Sequence, residues 1–65
     1  MGKRYMVVMT NGDTYSLYEI DFERVRAAMR NKDVIIDVMD KTKKLKLTLQ
    51  VENISSAVEQ EVENA

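Results

Sequence analysis

The sequence contains no cysteine, no histidine, no proline and no tryptophan, and its 65 residues include only two glycines. Without cysteine the chain cannot form a disulfide. A zinc site is not expected either, because carboxylates alone suit harder cations. The absence of cysteine and histidine also removes the commonest strong nucleophile and the commonest general base of enzymes. No convincing group of carboxylates, lysines or hydroxyls replaces them, so the sequence predicts a protein that is not an enzyme and uses no cofactor or metal.

Long apolar runs and a strong charge of one sign are also missing. No run approaches the roughly 20 apolar residues that span a membrane, and the apolar segment after Gly2-Lys3-Arg4 is too short for a secretory signal. Ten basic and eleven acidic residues give a net charge of −1, which argues against strong non-specific attraction to nucleic acid or anionic lipid. We therefore expect a soluble protein that does not bind membranes, and the lack of cysteine fits a cytoplasmic location.

The dipeptide Asn11-Gly12 lies between two segments in which apolar and polar residues alternate. Both residue types tolerate positive φ, which the two-residue type I′ turn of a β-hairpin requires. A hairpin with these two loop residues places Tyr5 opposite Tyr18. Its register assigns one face to the core, formed by Met6, Val8, Tyr15 and Leu17. The other face then carries Tyr5, Val7, Met9 and Tyr18.

An apolar stripe of helical spacing follows the first hairpin. Phe22, Val25 and Met29 share one face of a helix. Asp21 is a suitable N-cap, and Asn31 can adopt the left-handed conformation that ends a helix. We therefore expect one short amphipathic helix between these two residues.

A second hairpin is predicted from residues 34–39 and 45–51. Its turn places Asp40 opposite Lys43, so that Asp37 faces Lys46 and opposite charges meet across the strands. The two strands then share an apolar face that the helix can cover, formed by Val34, Ile36, Val38, Leu45, Leu47 and Leu49. Ile35 and Met39 point to the opposite face.

The last segment fits two patterns. Ile54, Ser56 and Val58 alternate as in an edge strand. Ile54, Val58 and Val62 also have helical spacing, and Ser56 with Glu59 has the form of a capping box. We favour a short strand here, preceded by a turn.

The predicted fold is therefore α+β: a small antiparallel sheet of four or five strands, in the order β-β-α-β-β with a possible fifth strand, and one helix packed on one face. It forms a single domain over residues 1–60, followed by an acidic tail over residues 61–65. The sheet face away from the helix carries more apolar surface than a small monomer usually exposes. Its members are Tyr5, Val7, Met9, Tyr18, Ile35 and Met39. Because a domain of this size is marginally stable, we predict that this face is an interface, in a homodimer or with another protein.

Single-stranded nucleic acid is the alternative partner. Proteins that bind it stack bases on sheet aromatics beside Lys and Arg, and Tyr5 and Tyr18 are predicted to lie side by side near Lys3 and Arg4. The lysines over residues 41–46 are expected at the far tip of the other hairpin. The acidic residues near the C-terminus would repel phosphate.

Four features of the chain carry a resemblance to a known group of proteins. They are a leading strand ending in Asn11-Gly12-Asp13-Thr14-Tyr15, a short capped helix, the run Asp33-Val34-Ile35-Ile36-Asp37, and the late segment Val51-Glu52-Asn53-Ile54-Ser55-Ser56. Over most of its length the chain resembles the short, uncharacterised proteins encoded by phages and prophages of Gram-positive bacteria. Members that have roles often block a host enzyme or defence system, or sequester its signal. The resemblance implies an inhibitor or anti-defence protein that binds a host protein or a signal molecule.

Overall fold

The computed structural model describes residues 2–62, which form five strands and one α-helix. In chain order the elements are β1 (Gly2–Met9), β2 (Thr14–Leu17), α1 (Glu19–Asn31), β3 (Ile35–Asp40), β4 (Leu45–Gln50), a 3₁₀ turn (Val51–Asn53) and β5 (Ile54–Val62). The α+β class is confirmed, and the last segment is a strand. The strands form two antiparallel sheets, β2-β1-β5 and β3-β4, rather than the one sheet expected. Because β5 extends to Val62, Glu61 and Val62 belong to this strand, and residues 63–65 of the predicted tail lie outside the described residues.

The first hairpin turns through three residues, so the predicted two-residue loop is wrong. The N–H of Met9 donates to the Asp13 carbonyl at 2.7 Å, and the N–H of Gly12 donates to the Met9 carbonyl at 3.0 Å. Within this loop only Gly12 has a positive φ, at 94°. A turn followed by one left-handed glycine is a common three-residue hairpin connection. Asn11 contributes its side chain instead, because its Oδ1 accepts the N–H of Asp13 at 2.9 Å.

This extra loop residue shifts the strand register by one. The shift exchanges the two faces of β1, whereas Tyr15 and Leu17 of β2 stay on the core face, as predicted. Val7 now lies opposite Tyr15, and Tyr5 lies opposite Leu17. The core face therefore carries Tyr5, Val7, Met9, Tyr15 and Leu17. Met6 and Val8, which were predicted in the core, lie on the other face of the sheet and are half-buried there.

The helix begins earlier than predicted and ends one residue later. Tyr18 is the N-cap residue, with no side-chain cap, and Lys32 takes the left-handed conformation at the C-terminal end. Asp21 is thus not the N-cap. Its carboxylate accepts the N–H of Met39 at 3.2 Å, which ties the first turn of α1 to β3. Within residues 2–62, no helix has the length and apolar character needed to cross a membrane.

The second hairpin has the predicted faces but a different register. Asp37 lies opposite Thr48 and not opposite Lys46, and the Thr48 hydroxyl donates to its carboxylate at 2.7 Å. The loop has four residues, Lys41 to Lys44, and is closed by the N–H of Lys44, which donates to the Asp40 carbonyl at 2.7 Å. A shift of two residues keeps each side chain on its face.

The hydrophobic core takes residues from both sheets, the helix and the 3₁₀ turn. Its buried members are Val7, Leu17, Phe22, Val25, Ala28, Ile36, Val38, Leu49, Val51 and Ile54. Two predicted members, Val34 and Leu45, are exposed instead. Val34 directly precedes β3 and Leu45 is the first residue of β4, so each lies at the margin of its strand.

Candidate functional site

The six residues predicted to form an interface do not share one exposed face. Val7 is fully buried at 0% exposure, and Met9 packs against the core. Tyr5 is half-buried, and its ring centroid lies 4.9 Å from that of Phe22. These three residues line the interior, because in the observed register their side chains lie on the core face of β1.

The other three predicted interface residues are exposed. Tyr18 is 37% exposed, Ile35 is 56% exposed and Met39 is 40% exposed. Ile35 and Met39 lie on the outer face of β3, on either side of Asp37, whereas Tyr18 directly precedes α1. An interface that includes these three residues stays a prediction, but it keeps only half of the six residues first proposed for it.

The structure brings together a different set of residues, in a cleft beside the end of β2. β2 pairs with β1 only as far as Tyr5 opposite Leu17, so the first residues of β1 extend past it. The β3–β4 loop lies on the other side of this cleft. The cleft has a volume of about 590 Å³ and is lined by Lys3, Arg4, Tyr5, Ser16, Leu17, Lys41, Thr42 and Val62.

The β3–β4 loop is held in place by Asp40, which is the one buried charged residue among residues 2–62. Its carboxylate accepts the N–H of Thr42 at 2.9 Å and the N–H of Lys43 at 3.2 Å. The loop is also fastened to β2, since the N–H of Lys41 donates to the Ser16 carbonyl at 2.8 Å. These bonds fix the backbone from which Lys41 and Thr42 reach the cleft.

The position of this loop corrects the expectation that its lysines lie at the far tip of a separate hairpin. Lys41 Nζ lies 5.7 Å from the centroid of the Tyr18 ring, within the range of a cation–π contact. The same lysine lines the cleft together with Lys3 and Arg4 of β1. Residues far apart in the sequence thus place three cations around one concave surface.

The residues that line the cleft carry more positive than negative charge. Lys3, Arg4 and Lys41 line it, and no carboxylate of the described residues does so. Glu59 lies outside the lining and contacts Lys3, with 3.3 Å between Nζ and Oε2. Through this hydrogen bond and its charge, Glu59 holds the pKa of Lys3 above the usual value of 10.5, so Lys3 is fully protonated at neutral pH.

The Tyr5 hydroxyl stays protonated at neutral pH as well. Partial burial raises its pKa above the usual value of 10.0, and the charge of Glu19 and a hydrogen bond to its carboxylate raise it further. The residues that line the cleft thus include several hydrogen-bond donors: the basic residues Lys3, Arg4 and Lys41 and the hydroxyl residues Ser16 and Thr42.

A second concavity, of about 450 Å³, lies between the end of α1 and the 3₁₀ turn. Val34 and Val51 contribute apolar surface, and Lys32, Asp33 and Glu52 contribute charges of both signs. It therefore favours no ligand charge. Within residues 2–62, no three acidic side chains come close enough to hold a metal ion.

Sequence reasoning missed the cleft because its residues come from four segments, β1, β2, the β3–β4 loop and β5, that only the tertiary fold brings together. The one available signal was the density of lysine over residues 41–46. No protein-family model, curated protein or solved structure matches the chain, so its function has to be argued from this geometry.

Proposed function

We propose that this protein is a non-catalytic binding protein and that the cleft beside β2 takes a ligand that carries phosphate. The observation that carries the proposal is that three basic residues, Lys3, Arg4 and Lys41, line the cleft and that no acidic residue among residues 2–62 does. Arginine binds phosphate through two parallel N–H groups, and lysine acts as a compact positive charge. Sequestration of a host signal is one of the activities implied by the resemblance to phage proteins, and we propose that this signal carries phosphate.

The side chains around the cleft suit binding better than catalysis. Ser16 and Thr42 supply hydroxyls, but the chain has no histidine and the lining has no carboxylate to activate either hydroxyl as a nucleophile. The volume of about 590 Å³ is in the range of small-ligand sites. A nucleotide, or one or two units of a single strand, would fill it.

A substitution at Tyr18 distinguishes a ligand that carries a base, such as a nucleotide or a single strand, from one that carries phosphate alone. The sequence-based alternative stacked bases on Tyr5 and Tyr18, but the Tyr5 ring packs on Phe22. Tyr18 keeps an exposed ring beside Lys41. Tyr18→Ala should weaken binding of a nucleotide or oligonucleotide by about 1 to 3 kcal/mol if a base stacks there. Binding of pyrophosphate should not change.

The proposal is tested by calorimetric titration with pyrophosphate, ATP and a short oligothymidylate. Lys41→Glu should weaken binding at least about tenfold, because a hydrogen bond to a charged group contributes about 1.5 kcal/mol or more. Lys46→Glu is the matched control: it makes the same charge change on β4 and does not line the cleft. It should change affinity less than about twofold, as expected for an exposed charge away from the site.

Salt dependence gives a second readout. Three phosphate contacts should reduce affinity for a single strand about 20-fold between about 50 and about 200 mM salt. The proposal fails if none of the three probes binds at low salt, or if Lys41→Glu and Lys46→Glu weaken binding equally.

A further inference from the structure

β5 is a long edge strand with one free side. It has nine residues, and in the sheet order β2-β1-β5 it pairs with β1 alone. Within residues 2–62, no strand lies along its other side. An edge of this kind carries a row of unpaired N–H and C=O groups, which is a template for pairing with another strand.

The backbone groups on this free side can be assigned from the hydrogen bonds of β1. Met9 exchanges its bonds with the first hairpin, so odd-numbered residues of β1 face β2 and even-numbered ones face β5. Paired residues of an antiparallel ladder exchange both bonds, and Met6 pairs with Val58. Val58 therefore bonds inwards to β1, whereas Ala57, Glu59 and Glu61 present their N–H and C=O groups to the free side.

The free edge has few of the features that usually block strand pairing. β5 contains no proline and no lysine. It has a bulge at Ser55, where the register with β1 shifts, and two acidic residues, Glu59 and Glu61. Most of the strand is thus regular and open, and its two like charges restrict which strand can pair with it.

We propose that a second copy of the chain pairs with this edge, β5 against β5 in antiparallel orientation, with a two-fold axis at Val58. This register puts Glu59 opposite Ala57 and Glu61 opposite Ser55, so no like charges meet. Registers centred on Glu59 or Gln60 set glutamates directly opposite each other, which is destabilising. A register centred on Ala57 avoids this contact but carries Val62 past the start of the other β5.

The proposed register also covers apolar surface on the outer face of the sheet. Met6 and Val58 are paired neighbours on that face, and both are half-buried. In the dimer, the two Val58 side chains meet at the axis and a Met6 flanks each one. A continuous row of four apolar side chains then crosses a six-stranded sheet.

This interface shares only Val62, at the end of β5, with the proposed ligand site. The other residues that line the cleft belong to β1, β2 and the β3–β4 loop. Dimer formation requires no phosphate ligand, so each proposal can fail without the other.

Disulfide trapping tests both the dimer and its register, because the chain has no cysteine of its own. Across the axis, two residues at position 58 form a non-hydrogen-bonded pair with Cα atoms about 4.5 Å apart, within reach of a disulfide. Val58→Cys should therefore give a linked dimer rapidly under mild oxidation at micromolar concentration. Gln60→Cys is the matched control on the same strand face, and in this register its two copies lie about 14 Å apart.

The expected result is fast linkage of Val58→Cys, with linkage of Gln60→Cys at least tenfold slower. Equal rates would indicate random collision and would overturn the proposal, as would no linkage of either variant. The unmodified chain should also sediment with twice its mass of 7.5 kDa at high concentration. A single 7.5 kDa species up to millimolar concentration would refute the dimer.

A charge-swap experiment provides a second test of the interface in case a cysteine variant does not fold. Val58→Lys and Val58→Glu should each be monomeric, because like charges meet at the axis, and circular dichroism should show that each one is folded. Mixing the two should restore a dimer. If the mixture stays monomeric while both variants are folded and the unmodified chain is dimeric, the interface lies elsewhere.

Discussion

Val7→Ala should destabilise the protein far more than Val8→Ala. The two valines are neighbours on β1, the central strand of its sheet, and their side chains point to opposite faces. Val7 is completely buried in the core, whereas Val8 is half-buried on the outer face. The two substitutions remove the same atoms from the same strand, so any difference reports which face is the core.

The expected magnitudes follow from burial. Removing two buried methyl groups costs about 0.8 kcal/mol for each, and the cavity left behind adds to the loss, so Val7→Ala should cost about 2 to 3 kcal/mol. Val8→Ala should cost less than about 1 kcal/mol, since the Val8 side chain is already partly exposed to solvent. A domain of 65 residues has a free energy of unfolding of roughly 3 to 10 kcal/mol, so Val7→Ala would remove a large part of it.

Urea unfolding followed by far-ultraviolet circular dichroism measures both losses. The slopes of the two transitions should match, so that the midpoints can be compared directly. A larger loss at Val8 than at Val7 would refute the register, and would favour the hairpin with Asn11 and Gly12 as its two loop residues. Equal losses would place neither valine in a distinct core face.

Three further predictions concern single residues. Lys32→Gly should stabilise the protein by about 0.5 to 1 kcal/mol, because Lys32 has a φ of 57° and glycine adopts that conformation without strain. Asp21→Ala should cost about 1 to 2 kcal/mol, since it leaves the Met39 N–H without its charged acceptor. The difference between the alkaline ultraviolet titrations of the unmodified protein and Tyr5→Phe should have a midpoint above 10.0, because burial and Glu19 raise the pKa of Tyr5.

Each of these predictions has a control and a result that would contradict it. Lys32→Ala should not stabilise through its backbone conformation, so an equal gain would contradict the strain at this position. Asp21→Asn keeps an acceptor oxygen and should recover part of the loss; a full loss would point to the charge alone. A Tyr5 midpoint at or below 10.0 would contradict the raised pKa. Since the folded state favours the protonated hydroxyl, its contribution to stability should be present below pH 10.0 and fall as the pH rises through the higher folded pKa.

The position of the first turn was predictable, and its loop length was not. Asn11-Gly12 correctly marks the place where the chain reverses. Both a two-residue and a three-residue loop can use this dipeptide, with glycine in the left-handed conformation. The choice depends on whether Asn11 adopts positive φ or bonds Asp13 with its side chain, and the structure has the second arrangement. One residue of difference then moved Tyr5, Val7 and Met9 from the predicted interface to the core face and moved Met6 and Val8 out of it.

The error in the predicted register of the second hairpin had smaller consequences. Its loop is two residues longer than predicted because Asp40 bonds the N–H groups of Thr42 and Lys43. A shift of two residues preserves the alternation of side chains, so Ile36 and Val38 face the core as predicted. The alternation of a strand therefore predicts which side chains face the core only if any error in the loop length is an even number of residues.

The cleft could not be predicted from the sequence, for a different reason. The position of Lys41 at the cleft depends on how the β3–β4 loop packs against β2, and this contact includes a backbone hydrogen bond from Lys41 to Ser16. No periodicity or turn residue encodes a contact of this kind. Local patterns define the elements, whereas the site arises from how they pack.

The central position of β1 has a consequence for the order in which the protein can fold. β1 pairs with the nearby β2, but also with β5 at the far end of the described chain, where Gly2 lies opposite Val62. Contacts between residues so distant in sequence slow folding. During synthesis one edge of β1 remains open until residues 54–62 have left the ribosome, although both hairpins can already form. A nascent chain stalled before Ile54 would lack the last strand and part of the core, and this incomplete species would be the form of the protein most prone to aggregation.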